Sequence, residues 1–444
     1  MWDEVGARLE EPSARGLAAA VSRAIGDGTL LPGAKLPPIR RVATDLRLSP
    51  TTVSAAWQLL ARSGAIRADG RRGTVVAEPR ATGPRRYRRA LRQHALFALD
   101  LATGVPDPAL LPGLGPALEG VRGAALTPNS YLDEPVLPEL ASLLRARWPY
   151  PPERLALFDG AMDAIDHVAS ALLRLGDRAV VENPCFPPLL DLLDALGVEA
   201  LPVTLDAEGP VPASLAAALA QRPAAVFLQP RAHNPTGASW TPTRAAELAA
   251  LLADGPAIIE DDSAGDIAST PLISLGSWLP DQTVHIGSFS KSHGPDLRLA
   301  AASGPAAMLD PILERRLLGQ GWTSRLLQHL LLHLLTEPAS VAAVAAAQEE
   351  YARRRRLIGE GLRREGIEVN GADGLNLWLP VRDEQAALIS LASEGISAAA
   401  GTAFAAGPLP PHLRITVGLV TAEHAEVAQR LARAAGAGSL PFAR

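Results

Sequence analysis

The chain has 444 residues, which at roughly 150 residues per domain predicts two or three domains. Apolar residues make up 48% of the sequence and charged residues 20%, a composition that allows large buried cores and excludes a disordered chain. The one cysteine, Cys185, excludes a disulfide framework and a cysteine-built zinc site, and favours a reducing compartment. Because no apolar run reaches the ~18–20 residues of a membrane span and the N-terminus lacks a signal-peptide pattern, we expect a cytoplasmic protein without membrane contact.

The net charge of −5 argues against a uniformly basic nucleic-acid binder, but the charge is divided unevenly along the chain. Residues 1–93 hold 17 Lys and Arg against 8 Asp and Glu, so this head carries +9; residues 94–444 hold the remaining 25 against 39, so the body carries −14. A basic head on an acidic body indicates an appended module that binds a polyanion. The boundaries we predict are a head over 1–77, a basic linker over 78–97 and a body over 98–444. The arginines of the linker suit either a solvated tether or further phosphate contacts.

The elements of the head, in chain order, predict a winged helix-turn-helix. Apolar spacing predicts helices over Leu17–Ile25, Ile39–Leu46 and about Thr51–Ser63, with Ser49 as the N-cap of the third. Ile66–Ala68 and Thr74–Val76 predict a β-hairpin whose tip carries Arg71 and Arg72. Two helices joined by a tight turn and followed by a basic hairpin suit insertion into the major groove, with the wing on the DNA backbone.

This head resembles the GntR family of bacterial regulators, with matches at residues 30–33, 36–40, 49–53 and 73–76. The resemblance implies contacts with double-stranded operator DNA by a set of side chains on the helices and the wing: Arg40, Thr51, Thr52, Arg71 and Arg72. The family usually has an arginine directly after the serine of the turn, where this chain has Pro50. Proline removes that side-chain contact, although it suits the first turn of a helix. A winged helix used only for protein contacts is the alternative, and the positive charge of the head favours DNA.

The body alternates short apolar runs with longer helical ones. Strands are predicted at Ala156–Phe158, Ala179–Glu182, Ala224–Leu228, Ala257–Glu260 and Val284–Ile286, with helices such as Met162–Leu175 and Pro242–Ala253 between them. Near-continuous apolar strands that alternate with helices predict an α/β fold with a mainly parallel sheet covered by helices. Ligands of such sheets bind beyond the carboxyl ends of the strands, where polar residues cluster in this sequence.

Lysine is almost absent from the body. Lys291 is the one lysine among its 25 cationic residues, and Lys35 in the head is the other lysine of the chain. Arginine cannot replace lysine where a Schiff base is formed, because its guanidinium stays protonated and is a poor nucleophile. Lys291 follows a predicted strand, where it could form a Schiff base with pyridoxal 5′-phosphate. An isolated lysine is more often a solvated surface residue, so the prediction depends on the other parts of such a site.

The other parts of such a site follow in order along the chain. Gly160 and Ala161 open a helix after a strand and can hold a phosphate, and Ser288 and Arg298 can complete that clamp. The remaining predicted contacts are a ring-stacking aromatic, a donor to the 3-oxygen, a partner for the pyridine nitrogen and a guanidinium for the carboxylate of a substrate or effector: Phe186, Asn234, Asp261 and Arg414. Each of these residues alone is weak evidence. Because they occur in this order along one series of alternating strands and helices, together they predict a pyridoxal 5′-phosphate site.

Residues 98–444 resemble class I aminotransferases of the fold-type I pyridoxal-phosphate superfamily, with further matches at 104–107, 351–355 and 374–377. Head and body together resemble the MocR-type transcriptional regulators over nearly the full length. The resemblance implies a smaller C-terminal α+β subdomain from about residue 330 and a homodimer in which Tyr131 reaches the phosphate of the neighbouring subunit.

Two departures from the aminotransferase pattern bear on activity. The tyrosine usually found two or three residues after the ring aspartate is absent after Asp261, where Ser263 stands instead, and the stacking residue is Phe186 rather than tyrosine. Efficient transamination is therefore less expected than cofactor binding. The favoured hypothesis is a regulator whose body senses an amino compound; the alternatives are an aminotransferase with a vestigial head, with Lys291 moving the α-proton, and a degenerate dimerisation scaffold.

A metal site is not expected. His329 and His333 are four residues apart on a leucine-rich helix, a spacing that metals can use. The sequence offers no third ligand near them, so packed or capping histidines are the expected role.

Overall fold

The structure, a computed structural model, describes residues 2–9, 11–26, 29–31, 33–62, 65–68, 73–76, 86, 97–122, 130, 133–371 and 373–438. The helices in these ranges are α1 (Trp2–Ala7), α2 (Ala14–Gly26), α3 (Ile39–Asp45), α4 (Pro50–Arg62), α5 (Leu114–Arg122), α6 (Pro138–Arg147), α7 (Ala161–Leu172), α8 (Pro187–Leu196), α9 (Pro212–Leu219), α10 (Pro242–Leu252), α11 (Ala306–Leu317), α12 (Arg325–Thr336), α13 (Pro338–Arg364), α14 (Glu384–Ser393) and α15 (His424–Gly436). The strands are β1 (Ile66–Ala68), β2 (Thr74–Val76), β3 (Leu99–Asp100), β4 (Arg154–Phe158), β5 (Arg178–Asn183), β6 (Glu199–Asp206), β7 (Gly209–Pro210), β8 (Ala225–Leu228), β9 (Ala257–Asp262), β10 (Thr283–Ser288), β11 (Ala300–Gly304), β12 (Asn376–Pro380), β13 (Ile396–Ser397), β14 (Ala399–Ala400) and β15 (His412–Thr416).

The head is the predicted winged helix-turn-helix. Helices α2, α3 and α4 enclose an apolar core that includes Leu17, Val42 and Val53. The Ser49 hydroxyl caps α4 by accepting the Thr52 N–H at 3.0 Å, so proline at the next position costs no hydrogen bond. Strands β1 and β2 pair antiparallel as the wing. The predicted wing arginines, 71 and 72, lie outside the described residues.

The body is built on an eight-stranded sheet in the order β4-β11-β10-β9-β8-β5-β6-β7. Strands β10, β9, β8, β5 and β6 run parallel, whereas β11 runs antiparallel between β4 and β10. All five predicted strands lie in this sheet, and the predicted mainly parallel α/β fold is confirmed.

Both faces of the sheet are covered. Helices α7, α8 and α11 pack on one face around residues such as Ile165 and Leu193. Helices α9 and α10 cover part of the other face, and α5, α6 and α12 cover the rest beside β4 and β11. Because both faces are buried, polar side chains gather at the carboxyl ends of β5, β8, β9 and β10, and these ends surround the cleft described below.

A second core lies towards the C-terminus. Strands β12, β15 and β14 form a three-stranded sheet whose apolar side chains pack with α13, α14 and α15. Strand β3, at the start of the body, pairs parallel with β13 of this region, and Leu101 is buried in the same core. The beginning of the body therefore joins the C-terminal core, which a linear boundary near residue 330 does not anticipate.

Helices α12 and α13 meet at a sharp bend. None of the described helices is by itself long and apolar enough to cross a membrane. The two together reach that length and composition, but they bend by 73° at their junction. Leu331 and Leu334 of α12 are buried in the core beside β4 and β11.

Candidate functional site

A cleft at the carboxyl ends of the strands brings together six of the predicted cofactor residues. These are Ala161, Phe186, Asp261, Ser288, Lys291 and Arg298. Met162 and Ser290 also line the cleft, although the sequence predicted no role for them. Ser263, which stands near the place of the family's tyrosine, lines it too. Tyr131 lies outside the described residues, so its predicted reach into a neighbouring subunit stays a prediction.

One side of the cleft is suited to an anion. Gly160 has φ +108°, and a Cβ at that position would lie 2.7 Å from the Arg298 guanidinium, so glycine is needed for the close approach. That guanidinium donates to the Asp159 carbonyl at 2.9 Å and is held next to the N-terminus of α7. The Ser290 N–H donates to the Ser288 hydroxyl at 3.3 Å on the facing loop. Helix N–H groups, hydroxyls and a guanidinium together suit a phosphate.

The opposite side of the cleft presents a buried carboxylate with one unused oxygen. Asp261 is 9% exposed, and its Oδ2 accepts from Gln229 Nε2 at 3.1 Å, whereas Oδ1 has no hydrogen-bond partner among the described residues. Burial, and then the adjacent Asp262 carboxylate, raise the pKa of Asp261 to about 7. A buried acceptor without a donor is costly, so this atom is suited to a cationic N–H of a bound ring.

Asp261 and Asp262 face opposite sides of β9. Asp261 was predicted just after the strand but lies within it, so successive side chains point in opposite directions. Asp262 is held on the other side by Arg231, with N–O distances of 2.9 and 2.8 Å. Asp261 is thereby the acid that is available to the cleft.

Gln229 is a site residue that the sequence analysis missed. Its side-chain amide donates to Asp261, its Oε1 accepts the Asn234 N–H at 2.7 Å, and its own backbone N–H donates to Glu182 at 2.9 Å. It therefore positions two of the predicted cofactor contacts at once. The signal that could have identified it is its place directly after β8, at the carboxyl end of a parallel strand.

Lys291 is half-buried, and its amine donates to the carbonyl of Gly104. Burial, and then the Arg414 guanidinium, lower the pKa of Lys291 to about 8, against a smaller opposing effect of Asp261. The amine is therefore neutral at a lower pH than an ordinary lysine. A neutral amine is the form that attacks a carbonyl group.

Arg414 is buried on the side of the cleft formed by the C-terminal core. Its guanidinium donates to Asn234 Oδ1 at 3.3 Å and to the Ala102 carbonyl, and it lies 5.0 Å above the Phe404 ring. Asn376, another missed residue, donates to the same Asn234 oxygen at 3.4 Å. Asn234 and Arg414, which do not line the cleft directly, are thus joined to each other beside it.

Three of the predicted DNA contacts, Arg40, Thr51 and Thr52, lie at the surface of the head. Arg40 and Thr51 are exposed and Thr52 is partly exposed. The Ser49 hydroxyl lies 2.7 Å from both threonine hydroxyls, so the three form one polar group at the N-terminus of α4. In a helix-turn-helix this end of the helix approaches base edges.

One of the two histidines of α12, His333, packs against α5. A Cβ on Gly120 of α5 would come within 2.3 Å of the His333 ring, so this histidine fills the gap between the two helices. Across the part of the chain that the structure describes, no three His, Cys, Asp or Glu side chains are grouped so that they could hold a metal ion.

The fold and the cleft define a class of protein, an aminotransferase-like body that carries a winged helix-turn-helix. The comparisons with known families agree on both halves. Residues 99–431 match the family model of class I and II aminotransferases, and residues 13–76 match that of the GntR family of bacterial regulatory proteins. The chain therefore belongs to the MocR-type transcriptional regulators, in which these two domains are fused.

Relatives of the full length are named as regulators. The chain is 36% identical over 397 residues to the vitamin B6 salvage pathway transcriptional repressor PtsJ of Salmonella typhimurium, covering 88% of this chain and 90% of that protein. It is 28% identical over 362 residues to the pyridoxine biosynthesis transcriptional regulator PdxR of Corynebacterium glutamicum, covering 77% of each chain. These relatives favour a regulator over a free-standing enzyme.

Solved structures show the same fold for the body. LysN, the α-aminoadipate aminotransferase of Thermus thermophilus, superposes with a TM-score of 0.68 at 23% identity, over 76% of this chain and 91% of that one. Aspartate aminotransferase of the same organism superposes with a TM-score of 0.67 at 24% identity, over 80% of this chain and 97% of that one. The cofactor of this family is pyridoxal 5′-phosphate. It fits the Asp261 oxygen that has no hydrogen-bond partner among the described residues, the close approach of Arg298 to Gly160, and the half-buried Lys291.

Proposed function

We propose that this regulator binds pyridoxal 5′-phosphate in the cleft of its body, senses an amino compound there, and thereby changes how its heads bind operator DNA. It would act in the cytoplasm as a homodimer. The observation that carries the proposal is the meeting, in one cleft, of the single lysine of the body with a buried oxygen of Asp261 that no described residue hydrogen-bonds. Those two groups match the aldehyde and the ring nitrogen of the cofactor.

Each end of the cofactor would have its own partners. Gly160, Ala161, Ser288 and Arg298 would hold the phosphate, with Tyr131 of the neighbouring subunit as a further contact. The ring would lie on Phe186, with Asp261 at its nitrogen and Asn234 at its 3-oxygen. When bound, the cofactor supplies an aldehyde that condenses with primary amines and a ring that withdraws electrons.

The sensed compound would carry both an amine and a carboxylate. Arg414 lies beside the cleft with its guanidinium 3.3 Å from Asn234 and can hold a carboxylate in bidentate fashion. Its present acceptors include the carbonyl of Ala102, which a ligand carboxylate would replace. Ser263 lines the cleft near the place where the family has tyrosine, and its short side chain favours binding over rapid turnover.

The heads would bind the operator through Arg40, Thr51 and Thr52, with Arg71 and Arg72 on the DNA backbone. Support comes from the exposure of Arg40 and Thr51 and from the +9 charge of residues 1–93. Because the relative named above is a repressor of vitamin B6 salvage, genes of vitamin B6 metabolism are the first operators to test.

The deciding experiment is the visible absorption of the purified protein saturated with pyridoxal 5′-phosphate. Wild type should show the band of lysine-bound cofactor, and Lys291→Ala should lose it. Lys35→Ala removes the only other lysine, lies in the head and should keep the band, so it is the matched control. Absence of the band in wild type would refute the proposal.

Turnover is measured on the same samples. Conversion of amino acids to keto acids at ordinary enzymatic rates would instead favour an aminotransferase with a vestigial head. Sedimentation tests the homodimer, and a purely monomeric protein would remove the predicted role of Tyr131.

A further inference from the structure

Two helices of the body run from the cleft to the surface that carries the head. Helix α7 begins at the anion side of the cleft and has 12 residues, and α8 begins directly after Phe186 and has 10. At 1.5 Å per residue they extend about 18 and 15 Å from the cleft. The two helices contact each other, so a shift at the cleft end of one can reach the other.

The loop that follows α7 contacts the head. Leu175 packs on the apolar core of the head, and Arg15 of α2 lies 3.1 Å from the Asp177 carboxylate. Leu59 of α4 covers Gly176, where a Cβ would come within 2.8 Å of the leucine side chain. Gly176 also has φ +84°, so the loop needs glycine for both its backbone and its contact.

Helix α8 contacts the linker. The backbone N–H of Arg86 donates to Asp191 Oδ2 at 3.0 Å, and its guanidinium donates to Asp191 Oδ1 at 3.4 Å and to Asp194. Asp191 and Asp194 are on the helix whose N-terminal cap is Phe186, the predicted stacking residue. A basic linker residue is thus held by two carboxylates of a helix that starts at the cofactor.

The contacts with the head leave its DNA-facing side open. Arg15 and Leu59 touch the body, whereas Arg40 and Thr51 are exposed. Docking therefore sets where the head stands on the body without covering Arg40 or Thr51. Since two heads on a dimer must match two half-sites, their position on the body decides the spacing that they can read.

We propose that Leu175, Gly176, Asp177, Asp191 and Asp194 form a docking surface for the head and linker of the same chain, and that α7 and α8 link its strength to the state of the cofactor cleft. The inference rests on the proposed function and names the surface through which it operates. The Arg15 side chain is 61% exposed, and exposed ion pairs contribute little, so the docking is reversible and open to a small bias from the cleft.

The test uses full-length protein, cofactor-free and loaded with pyridoxal 5′-phosphate. For each form we measure affinity for the protein's own upstream DNA and hydrogen exchange of residues 173–178. In wild type, loading should change both. Asp177→Asn and the double variant Asp191→Asn/Asp194→Asn should keep cofactor affinity within about twofold of wild type. In both variants the ratio of DNA affinity in the loaded form to that in the cofactor-free form should move about threefold closer to one.

Charge reversal supplies the specificity test. Arg15→Asp alone should bring the ratio of DNA affinities, loaded to cofactor-free, closer to one. Arg15→Asp combined with Asp177→Arg should restore the wild-type ratio. Glu394→Gln is the matched control, because Glu394 pairs with Arg430 and Arg433 in the C-terminal core and should leave the ratio unchanged.

Cross-linking assigns the docked head to a chain. With Cys185 buried, cysteines introduced at positions 15 and 177 should be joined by a short bifunctional maleimide within one chain. Covalent dimers instead would overturn docking in the same chain. A wild-type ratio of one, or identical exchange with and without cofactor, would overturn the coupling. Loss of the visible band would refute the proposed function itself, so the two failures are distinguishable.

Discussion

Replacing Asp261 by asparagine tests the assignment of the ring-nitrogen partner. The amide has the shape of the carboxylate, and its oxygen can still accept from Gln229, as Oδ2 does at 3.1 Å. Its NH₂ group would then stand where Oδ1 is now unpartnered, so a donor would face the ring N–H. A hydrogen bond to a charged group contributes about 1.5–3 kcal/mol, which corresponds to roughly 10- to 150-fold weaker cofactor binding.

The assay is titration of the cofactor-free protein with pyridoxal 5′-phosphate at pH 8, followed by visible absorption. The pKa of Asp261 is raised to about 7, so the carboxylate is ionised at pH 8 and increasingly protonated below pH 7. Because only the ionised form attracts a ring cation, the difference between wild type and Asp261→Asn should shrink as the pH falls through 7. In the cofactor-free protein the pH dependence of stability has the opposite sign. Because its pKa is raised in the folded state, Asp261 stabilises that state when it is protonated, and this contribution to the free energy of unfolding is lost as the pH rises through 7.

Asp262→Asn is the control, since Asp262 is one residue further along β9 and is bound by Arg231 on the other face. This variant should unfold at a lower temperature but keep cofactor affinity within about twofold. If Asp261→Asn also bound the cofactor within twofold of wild type, the assignment of Asp261 to the ring nitrogen would be refuted.

Three further predictions concern the other parts of the molecule. Gly160→Ala should weaken cofactor binding about tenfold, because the new Cβ is strained at φ +108° and would displace the Arg298 guanidinium 2.7 Å away. Gly319→Ala, at a position with open space around it, is the control and should bind as wild type does. Equal affinities of the two variants would contradict the anion site. Arg414→Gln should move the pH midpoint for covalent capture of the cofactor by Lys291 upward from about 8, because the guanidinium lowers the pKa of Lys291. Stopped-flow absorption at several pH values measures this midpoint, and an unchanged midpoint would contradict the prediction. Arg40→Ala should weaken operator binding and reduce the slope of log affinity against log salt by about 1 in fluorescence anisotropy, and an unchanged, salt-insensitive affinity would contradict the DNA contact.

The parts of the fold that were predictable are those with a local signal. Strands β5 and β9 are short apolar runs that end in polar residues, and β8 is an apolar run that Gln229 follows directly. This pattern predicts both the strand and the edge where a ligand binds. Strand β11 was missed because its residues, Ala300–Gly304, are small and lack the β-branched side chains that indicate a strand. Helix α1 has only six residues, too few for a periodic pattern.

The parts of the site that were not predictable depend on contacts between distant segments. Lys291 was identified from its rarity, but its partner, the carbonyl of Gly104, is 187 residues away in the sequence and carries no side-chain signal. The same holds for Asn376 beside Asn234, 142 residues apart. Such contacts follow from how the C-terminal core closes on the sheet, and no local pattern encodes that closure.

The carbonyls of Ala102 and Gly104 give the cleft a resting arrangement of its own. They accept hydrogen bonds from the Arg414 guanidinium and the Lys291 amine, so these two cations already have acceptors within the protein. Cofactor and carboxylate would exchange these partners rather than add new ones, so the net gain on binding comes mainly from the phosphate, the ring face and Asp261. Affinity for the cofactor would therefore depend on the segment that holds Ala102 and Gly104 as well as on the residues that contact the cofactor.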